Sequence, residues 1–461
     1  MLGKLSSLKP EEVEEFIGIS GYVSKSKGIG GVIKSKPEDF LAWEVLISGL
    51  DAKALYESGR RYAEGLGDYV LAIMKKKGID TIRASTAIAR KLGLRPKQIS
   101  ICGIKDKMSI SWQFIAVPRG FMDEAGLRLG GIIHVFPIGG CSAPLTSKSL
   151  AKNFFEIKIR KISGNIGEVE ECIRELRSKG LPNFYGHQRF GITRPITPIV
   201  GKLIMLNRLE DAVKSFLGEY SVLESGKNRE ARERISREFN LESALEYFPK
   251  NLRYEREMIR YLIQHPGDYA GALRSLPLRL RRLLVESVSA LIFNKALSKI
   301  ISAEKLRELE IGDLVLRLDV FGRPEPGRPI EVTSGNYEQA ERLIRLGKLA
   351  IALPVPGYLS AIPKSSKGEA VLDAVEELKI SLEMFRLKGV PEASTRGSFR
   401  PITVPKWTCE IIQFDEASAT FKVSLPPGCY ATTFLREVMK PKSPLAFIGK
   451  MDNNDRVQEF G

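Results

Sequence analysis

Cysteine and histidine are both scarce in this sequence. Five cysteines, Cys102, Cys141, Cys172, Cys409 and Cys429, are spread over 461 residues with no CxxC pair. That spacing excludes a disulfide framework and a thiolate zinc site. The three histidines are equally dispersed, so metal catalysis and any triad built on a histidine base are not expected, apart from whatever His187 contributes. No run of about 18 apolar residues is present to span a bilayer, and no membrane partner is expected. The N-terminal stretch MLGKLSSLKPEEVEEF lacks the basic, apolar and small-residue order of a signal peptide, which makes the cytoplasm the expected location. Acidic residues are the under-represented charge: 55 Asp and Glu face 71 Lys and Arg, a formal net charge of +16. An excess of this kind points to a polyanionic partner, with nucleic acid first among them. A thermophile's ion-paired surface raises both signs together and accounts for the imbalance less well.

At this length one hydrophobic core stops growing, so two or more lobes are expected. No repeat or low-complexity tract is evident. From Gly31 to Gly191 short alternating segments mix with helical ones. DTIRASTAIARKLGL reads as a helix with Asp80 at its N-cap and Ala84, Ala87, Ile88 and Leu92 at helical spacing. WQFIAV reads as a strand. In NFFEIKIRKI, Phe155, Ile157 and Ile159 share one strand face with Asn153, while Glu156, Lys158 and Arg160 share the other. From about Thr193 to Ser394 charged helical stretches come first, then the Pro- and Gly-punctuated GDLVLRLDVFGRPEPGRPIEVTS, and this looks like a lobe of its own. ATFKVSLPPGCYATTFLREVM then returns to the earlier style, a strand carrying Phe421, Val423 and Leu425 into a Pro-Pro-Gly turn and a helix from about Ala431. The expected architecture is one mixed α/β domain assembled from both chain ends, at 1–192 and 395–461, with an inserted lobe at 193–394.

Two segments carry chemistry. GIKDK sets Asp106 between Lys105 and Lys107; as a local pattern it is weak, and a solvated turn fits it better. PNFYGHQRFG interleaves Phe184, Tyr185 and Phe190 with His187, Gln188 and Arg189, which suits single-stranded RNA through stacking faces and phosphate or base donors. A packed corner at a helix entry fits it as well. KPEDFLAWEVL and LPPGCYATTFLRE are similarly ambiguous, with Phe40 readable as core and Arg436 and Glu437 readable as surface.

Together these segments resemble the TruD family of tRNA pseudouridine synthases, whose members span bacteria, archaea and eukaryotes. The family order KxxPEDFxVxE, GxKDxxAxTxQ, NxFxIxxR, GxPNxFGxQRFG and LPxGxYATxxLRE is met here by five segments. They are Lys34 through PEDFLAWE to Glu44, GIKDKMSISWQ to Gln113, NFFEIKIR to Arg160, GLPNFYGHQRFG from Gly180, and LPPGCYATTFLRE to Glu437. The inserted region matches in style, through LIFN ending at Asn294 and GD at Gly312 and Asp313. The departures are Ala42 for an aliphatic, SIS before Gln113, and Tyr185 for Phe; none alters a residue the chemistry needs. A Lys-rich, Gln-poor surface adds a hint of an archaeal or thermophilic source.

The resemblance implies an α/β (α+β) pseudouridine synthase fold, a mixed and mainly antiparallel sheet with helices, plus an inserted α/β TRUD lobe. It implies an isomerase that needs no metal or organic cofactor. Asp106 matches the family's catalytic aspartate, which would begin cleavage of the N1–C1′ bond before the uracil turns and rejoins through C5, either by attack on C1′ or by way of a glycal. Lys105 beside it, with Lys34 near in the fold, would hold the carboxylate ionised. Phe40, Asn153 and Tyr430 match positions that contact substrate, and Phe155 and Gln188 match positions lining the same pocket. The implied partner is tRNA, at uridine 13 of the D-arm, bound in a basic cleft between the two domains; no obligate protein partner is evident. Two other classes compete. A non-catalytic RNA-binding module does not need Asp106 alongside Asn153, and a metal-dependent nuclease needs clustered acids or histidines that are not found.

Overall fold

The alternation in NFFEIKIRKI becomes a 13-residue strand, Leu150–Ile162, whose Ile157 and Ile159 are fully buried. A computed structural model describes residues 5–61, 67–224 and 226–450 of the chain. Around that strand is a ten-stranded sheet. Its order runs Thr408–Phe414, Ser418–Leu425, Leu150–Ile162, Phe40–Leu46, Ile110–Pro118, Tyr69–Lys77, Ile133–Cys141 and Leu127–Leu129. Two short strands flank this path: Gly30–Val32 on the long strand and Ser100–Ile101 on Ile110–Pro118. All neighbours are antiparallel except Phe40–Leu46 with Ile110–Pro118, so the sheet is mixed and mainly antiparallel, as expected. Both chain ends contribute to it, because Ser418–Leu425 pairs residue for residue with the long strand from Leu425 opposite Asn153 to Ser418 opposite Arg160.

Helices cover the sheet where their apolar stripes face it. Asp80 caps Thr81–Lys91 by accepting the Arg83 N–H at 2.9 Å. That helix buries Ala84 and Ile88 against Ala72, Met74 and Ile115. Ala431–Met439 follows the Pro-Pro-Gly turn and sets Phe434 edge-on against Phe421, with centroids 6.1 Å apart. Its Arg436 and Glu437 are buried, not surface residues. Glu437 accepts the Val23 and Ser24 N–H groups, and Arg436 pairs with Glu14 at 2.7 Å.

Between Thr197 and Ser302 the chain is helical, ending in the 25-residue helix Leu278–Ser302, which is buried on nearly every side from Leu284 to Ile301. A four-stranded antiparallel sheet follows, in the order Ile330–Glu331, Leu314–Arg317, Leu349–Val355, Ser398–Pro401. Among the described residues the segment read as a lobe of its own shares an apolar cluster with the rest of the chain, running from Phe421 and Phe184 through Phe293 to Leu353. The long helix serves both sides, because burying it requires cover from each. Asn294 and Asp313 prove to be structural. Asn294 is fully buried and satisfied by Tyr185 N–H, Tyr185 C=O and Ile17 C=O, and Asp313 accepts from Lys367 at 2.9 Å and from Ser365 at 2.5 Å. No helix among the described residues is long and apolar enough to cross a membrane.

Candidate active site

The single parallel pairing determines what meets at the centre. In a parallel pair the segments preceding both strands lie at the same sheet edge. Leu41 lies opposite Ile110, so Lys34–Asp39 and Gly103–Ser109 come together there. Asp106 sits at this edge with its carboxylate about 30 % exposed. Lys34 pairs with Oδ2 at 2.6 Å, and Gln188 Nε2 donates to Oδ1 at 2.6 Å. Each carboxylate oxygen therefore has a fixed donor. The Lys34 ammonium also lies 4.3 Å over the Phe40 ring.

Lys34 reaches Asp106 from a left-handed backbone, φ 59°, which costs a residue with a Cβ about 1–2 kcal/mol. The surroundings enforce that turn. Gly449 packs so closely on it that a Cβ there would stand 2.6 Å from the Lys34 carbonyl oxygen.

Lys105 departs from expectation. Its ammonium pairs with the fully buried Glu44 at 2.6 Å. The other oxygen of Glu44 accepts the Phe114 N–H at 2.9 Å. Gln113 donates to the Gly103 carbonyl at 2.9 Å and accepts from Thr81 Oγ1 at 2.8 Å, while Thr81 Oγ1 accepts the Lys105 N–H at 2.9 Å. This buried net pins the GIKDK backbone from beneath. The direct ion pair to Asp106 is therefore made by Lys34, 72 residues away in sequence, and not by Lys105.

Asp106 opens into a cavity of about 300 Å³. Of the residues singled out in the sequence, Phe40, Lys105, Asp106, Asn153, Phe155, Gln188 and Tyr430 line it, and Lys34 lies behind Asp106. Phe40 and Phe155 sit diagonally across paired strands with ring centroids 5.8 Å apart. Asn153 is buried, and its Oδ1 has no hydrogen-bond partner among the described residues. An orphaned acceptor in a cavity wall is costly unless a ligand satisfies it. Tyr430 stands immediately before the last described helix of nine residues, Ala431–Met439; burial raises its phenol pKa. Cys102 and Cys429 also line the cavity, and burial pushes both thiols up, Cys429 to about 11, so neither offers a thiolate at neutral pH. Among the described residues no three His, Cys, Asp or Glu side chains cluster as metal ligands would.

The Pro182–Gly191 loop divides its labour. Phe184, Phe190 and His187 are buried, so the packed-corner reading holds for these three. Tyr185 and Gln188 turn towards Tyr430 and Asp106. The loop and the Pro-Pro-Gly turn touch closely: a Cβ on Gly186 would lie 2.8 Å from Thr432 Oγ1 and 3.2 Å from the Tyr430 ring. Arg400, in the small sheet's edge strand, bridges them. Its guanidinium donates to the Asn183 carbonyl (2.8 Å), Asn183 Oδ1 (2.6 Å) and the Gly428 carbonyl (2.9 Å), and lies 4.4 Å over the Tyr185 ring. Arg400 was not singled out in the sequence, since it belongs to no motif and its partners are more than 25 residues away on either side.

Lys76 belongs to none of the sequence motifs either. Its ammonium is fully buried and donates to the Asp106 carbonyl at 2.7 Å, beside Ser109 Oγ at 2.8 Å. Desolvation lowers its pKa to about 8, against an opposing pull from Asp106. Between that value and the ordinary 10.5 the unfolded chain binds the proton and the folded chain does not, so folded stability rises with pH across the window. The stability of the parent relative to Lys76→Met is expected to rise by about 2 kcal/mol from pH 7 to pH 10 in denaturant titrations. A pH-independent difference would contradict the buried ammonium.

A family model described as "tRNA pseudouridine synthase D (TruD)" matches residues 16–438. A Methanosarcina mazei protein described as "Probable tRNA pseudouridine synthase D" is 30 % identical over 440 residues, covering 93 % of this chain and 98 % of its own. A Thermococcus sibiricus protein of the same description is 31 % identical over 439 residues, covering 93 % of this chain and 99 % of its own. The crystal structure of a Methanosarcina mazei protein described as "Putative tRNA pseudouridine synthase D (TruD)" superimposes with a TM-score of 0.77 at 30 % identity. It covers 95 % of this chain and 99 % of that one.

Proposed function

Because the chain belongs to the TruD family of tRNA pseudouridine synthases, we propose that it isomerises uridine 13 in the D-arm of tRNA, with Asp106 as the catalytic residue. As a member of that family it is an isomerase that makes pseudouridine in tRNA. The Asp106 carboxylate starts the reaction, either by attacking C1′ or by taking a ribose proton to give a glycal. The N1–C1′ bond breaks, the uracil turns, C5 bonds to C1′, and C5 loses its proton while N1 gains one. Nothing is oxidised and no group leaves.

The observation that carries this reading is one carboxylate, paired with Lys34, at the wall of a cavity also lined by Phe40, Phe155, Tyr430 and the unpartnered Asn153 oxygen. A uridine stacked in a helix cannot reach that carboxylate, so it must be flipped out, at a cost of roughly a few kcal/mol. The aromatic walls offset the cost, and Asn153 Oδ1 offers an acceptor to a base N–H or a ribose hydroxyl. Residues 193–394, with the adjoining strand Ser398–Pro401, form the second side of a basic cleft that holds the rest of the tRNA. The cytoplasm is the proposed location. Incubation with unmodified tRNA followed by carbodiimide mapping tests the assignment. A single new pseudouridine at position 13 is expected, and modification confined to other positions would overturn the site specificity.

Tyr430 supplies a second test. If its ring stacks on the flipped uracil, Tyr430→Phe keeps the face and single-turnover rates stay near those of the parent. Tyr430→Ala should lose roughly 1–3 kcal/mol of transition-state stabilisation. The ring also packs on Tyr185, 6.2 Å away, on Gly186 and under the Arg400 guanidinium at 5.8 Å, so some loss of melting temperature accompanies Tyr430→Ala, and turnover is compared well below it. A Tyr430→Ala protein that melts early and turns over normally would refute the stacking role.

A further inference from the structure

A second cavity lies away from Asp106, between the turn Asp319–Gly322 and the helix Tyr337–Arg345, with a volume of about 630 Å³. Its floor is apolar, from Val315, Leu343 and Leu349, and two large apolar side chains stand uncovered at its edge, Val320 at 77 % and Leu346 at 58 % exposure. Its rim is cationic, with Arg317, Lys348 and Lys406. Two acids also line it: Asp319 is neutralised by Arg323 at 2.7 Å, and Glu325 is left as the counterweight. No ion pair among the described residues engages Arg317 or Lys348, while the Lys406 ammonium meets only the Asp319 and Val320 carbonyls, at 3.3 and 3.2 Å. Gln339 adds an exposed amide.

The groove is tied to the catalytic cavity. Arg323, at the foot of the same turn, donates to the Lys148 and Leu150 carbonyls at 2.7 and 2.8 Å, and Leu150, with Ser147, lines the cavity that holds Asp106. An apolar floor under a cationic rim suits a nucleobase with phosphates on either side of it. An apolar peptide would instead cover Arg317 and Lys348 without pairing them, an unfavourable burial of charge.

We infer that this groove is a second RNA subsite, taking one unpaired nucleotide of the same tRNA whose uridine enters the catalytic cavity. The base lies against the apolar floor within reach of the Gln339 amide, and its flanking phosphates lie on Arg317 and Lys348. The inference rests on the tRNA reading above and adds to it a place, remote from the reacting base, at which the enzyme grips its substrate.

The test compares the parent, Arg317→Ala/Lys348→Ala and Val320→Ser/Leu346→Ser on unmodified full-length tRNA and on a short hairpin bearing only the target stem and loop. For the charge variant, KM and Kd for tRNA should rise about tenfold with kcat within twofold, and the slope of log Kd against log salt should shrink by about 1.4–1.8. The apolar variant should weaken tRNA binding several-fold without changing that slope. On the hairpin neither variant should shift KM by more than about twofold. Unchanged tRNA affinity in both variants would overturn the subsite, as would equal losses on tRNA and hairpin, or a change of oligomeric state as the only effect. A parent protein that binds tRNA but makes no pseudouridine would defeat the proposed function instead, leaving the binding comparison readable.

Discussion

Asp106→Asn is expected to abolish pseudouridine formation, lowering single-turnover rates by about 10³-fold or more, while tRNA affinity stays within a few-fold of the parent. The expectation follows from what Asn keeps and what it removes. Its amide has the same shape, its oxygen can accept from Lys34 in place of Oδ2, and its NH₂ can face the Gln188 oxygen once that amide turns over. The local structure is therefore retained, but no negative charge remains to attack C1′ or take a proton. Lys34, only 4 % exposed, loses its counter-charge, so some loss of stability accompanies the loss of activity. Asp106 is itself about 30 % exposed, and solvent limits that loss to less than a fully buried pair would suffer. Lys34→Met in the Asp106→Asn background should recover stability without recovering turnover. Measurable turnover by Asp106→Asn would end the assignment of the catalytic residue.

How much of this was legible in the sequence depended on the range over which a contact acts. The Asp80 cap, the faces of Leu150–Ile162 and the start of the helix at Ala431 are decided within a few residues, and the pattern showed them. The strand alternation put Asn153 and Phe155 on one face, but their gathering with Phe40, Gln188 and Tyr430 around Asp106 followed from the resemblance. No local period links residues that far apart, and the strand register that joins them cannot be read from spacing. The same limit of range explains what the local pattern does not show. GIKDK flanks Asp106 with lysines that look alike, yet Lys105 faces Glu44 because Glu44 lies on a neighbouring strand, in the register Leu41 opposite Ile110. Arg436 and Glu437 look like a surface pair, but the N-terminal segment carrying Glu14, Val23 and Ser24 closes over them. Lys76 and Arg400 belong to no motif, since each acts on backbone carbonyls, and a carbonyl leaves no trace in the sequence.

Lys105→Met is expected to destabilise the fold by about 3–5 kcal/mol, which separates the structural reading of this lysine from the sequence-based one. Glu44 is inaccessible to solvent, and the Lys105 ammonium, 2.6 Å away and itself 8 % exposed, is its only cationic partner among the described residues. Removing the lysine leaves a carboxylate buried with only the Phe114 N–H at 2.9 Å and Gln113 at a long 3.4 Å. Those two donors do not replace an ammonium. Methionine fills most of the lysine stem's volume, so the loss reports charge rather than a cavity. Adding Glu44→Gln removes the stranded charge and keeps an acceptor for the Phe114 N–H. The double variant should therefore be markedly more stable than Lys105→Met alone, giving a coupling energy of a few kcal/mol in the cycle. Activity measured well below the melting temperature distinguishes the roles. If Lys105 only supports the GIKDK backbone, the double variant regains turnover together with stability. If it touches the substrate, turnover stays low in a protein whose melting temperature has recovered, and Lys105 would then have to be counted among the groups that contact the uridine.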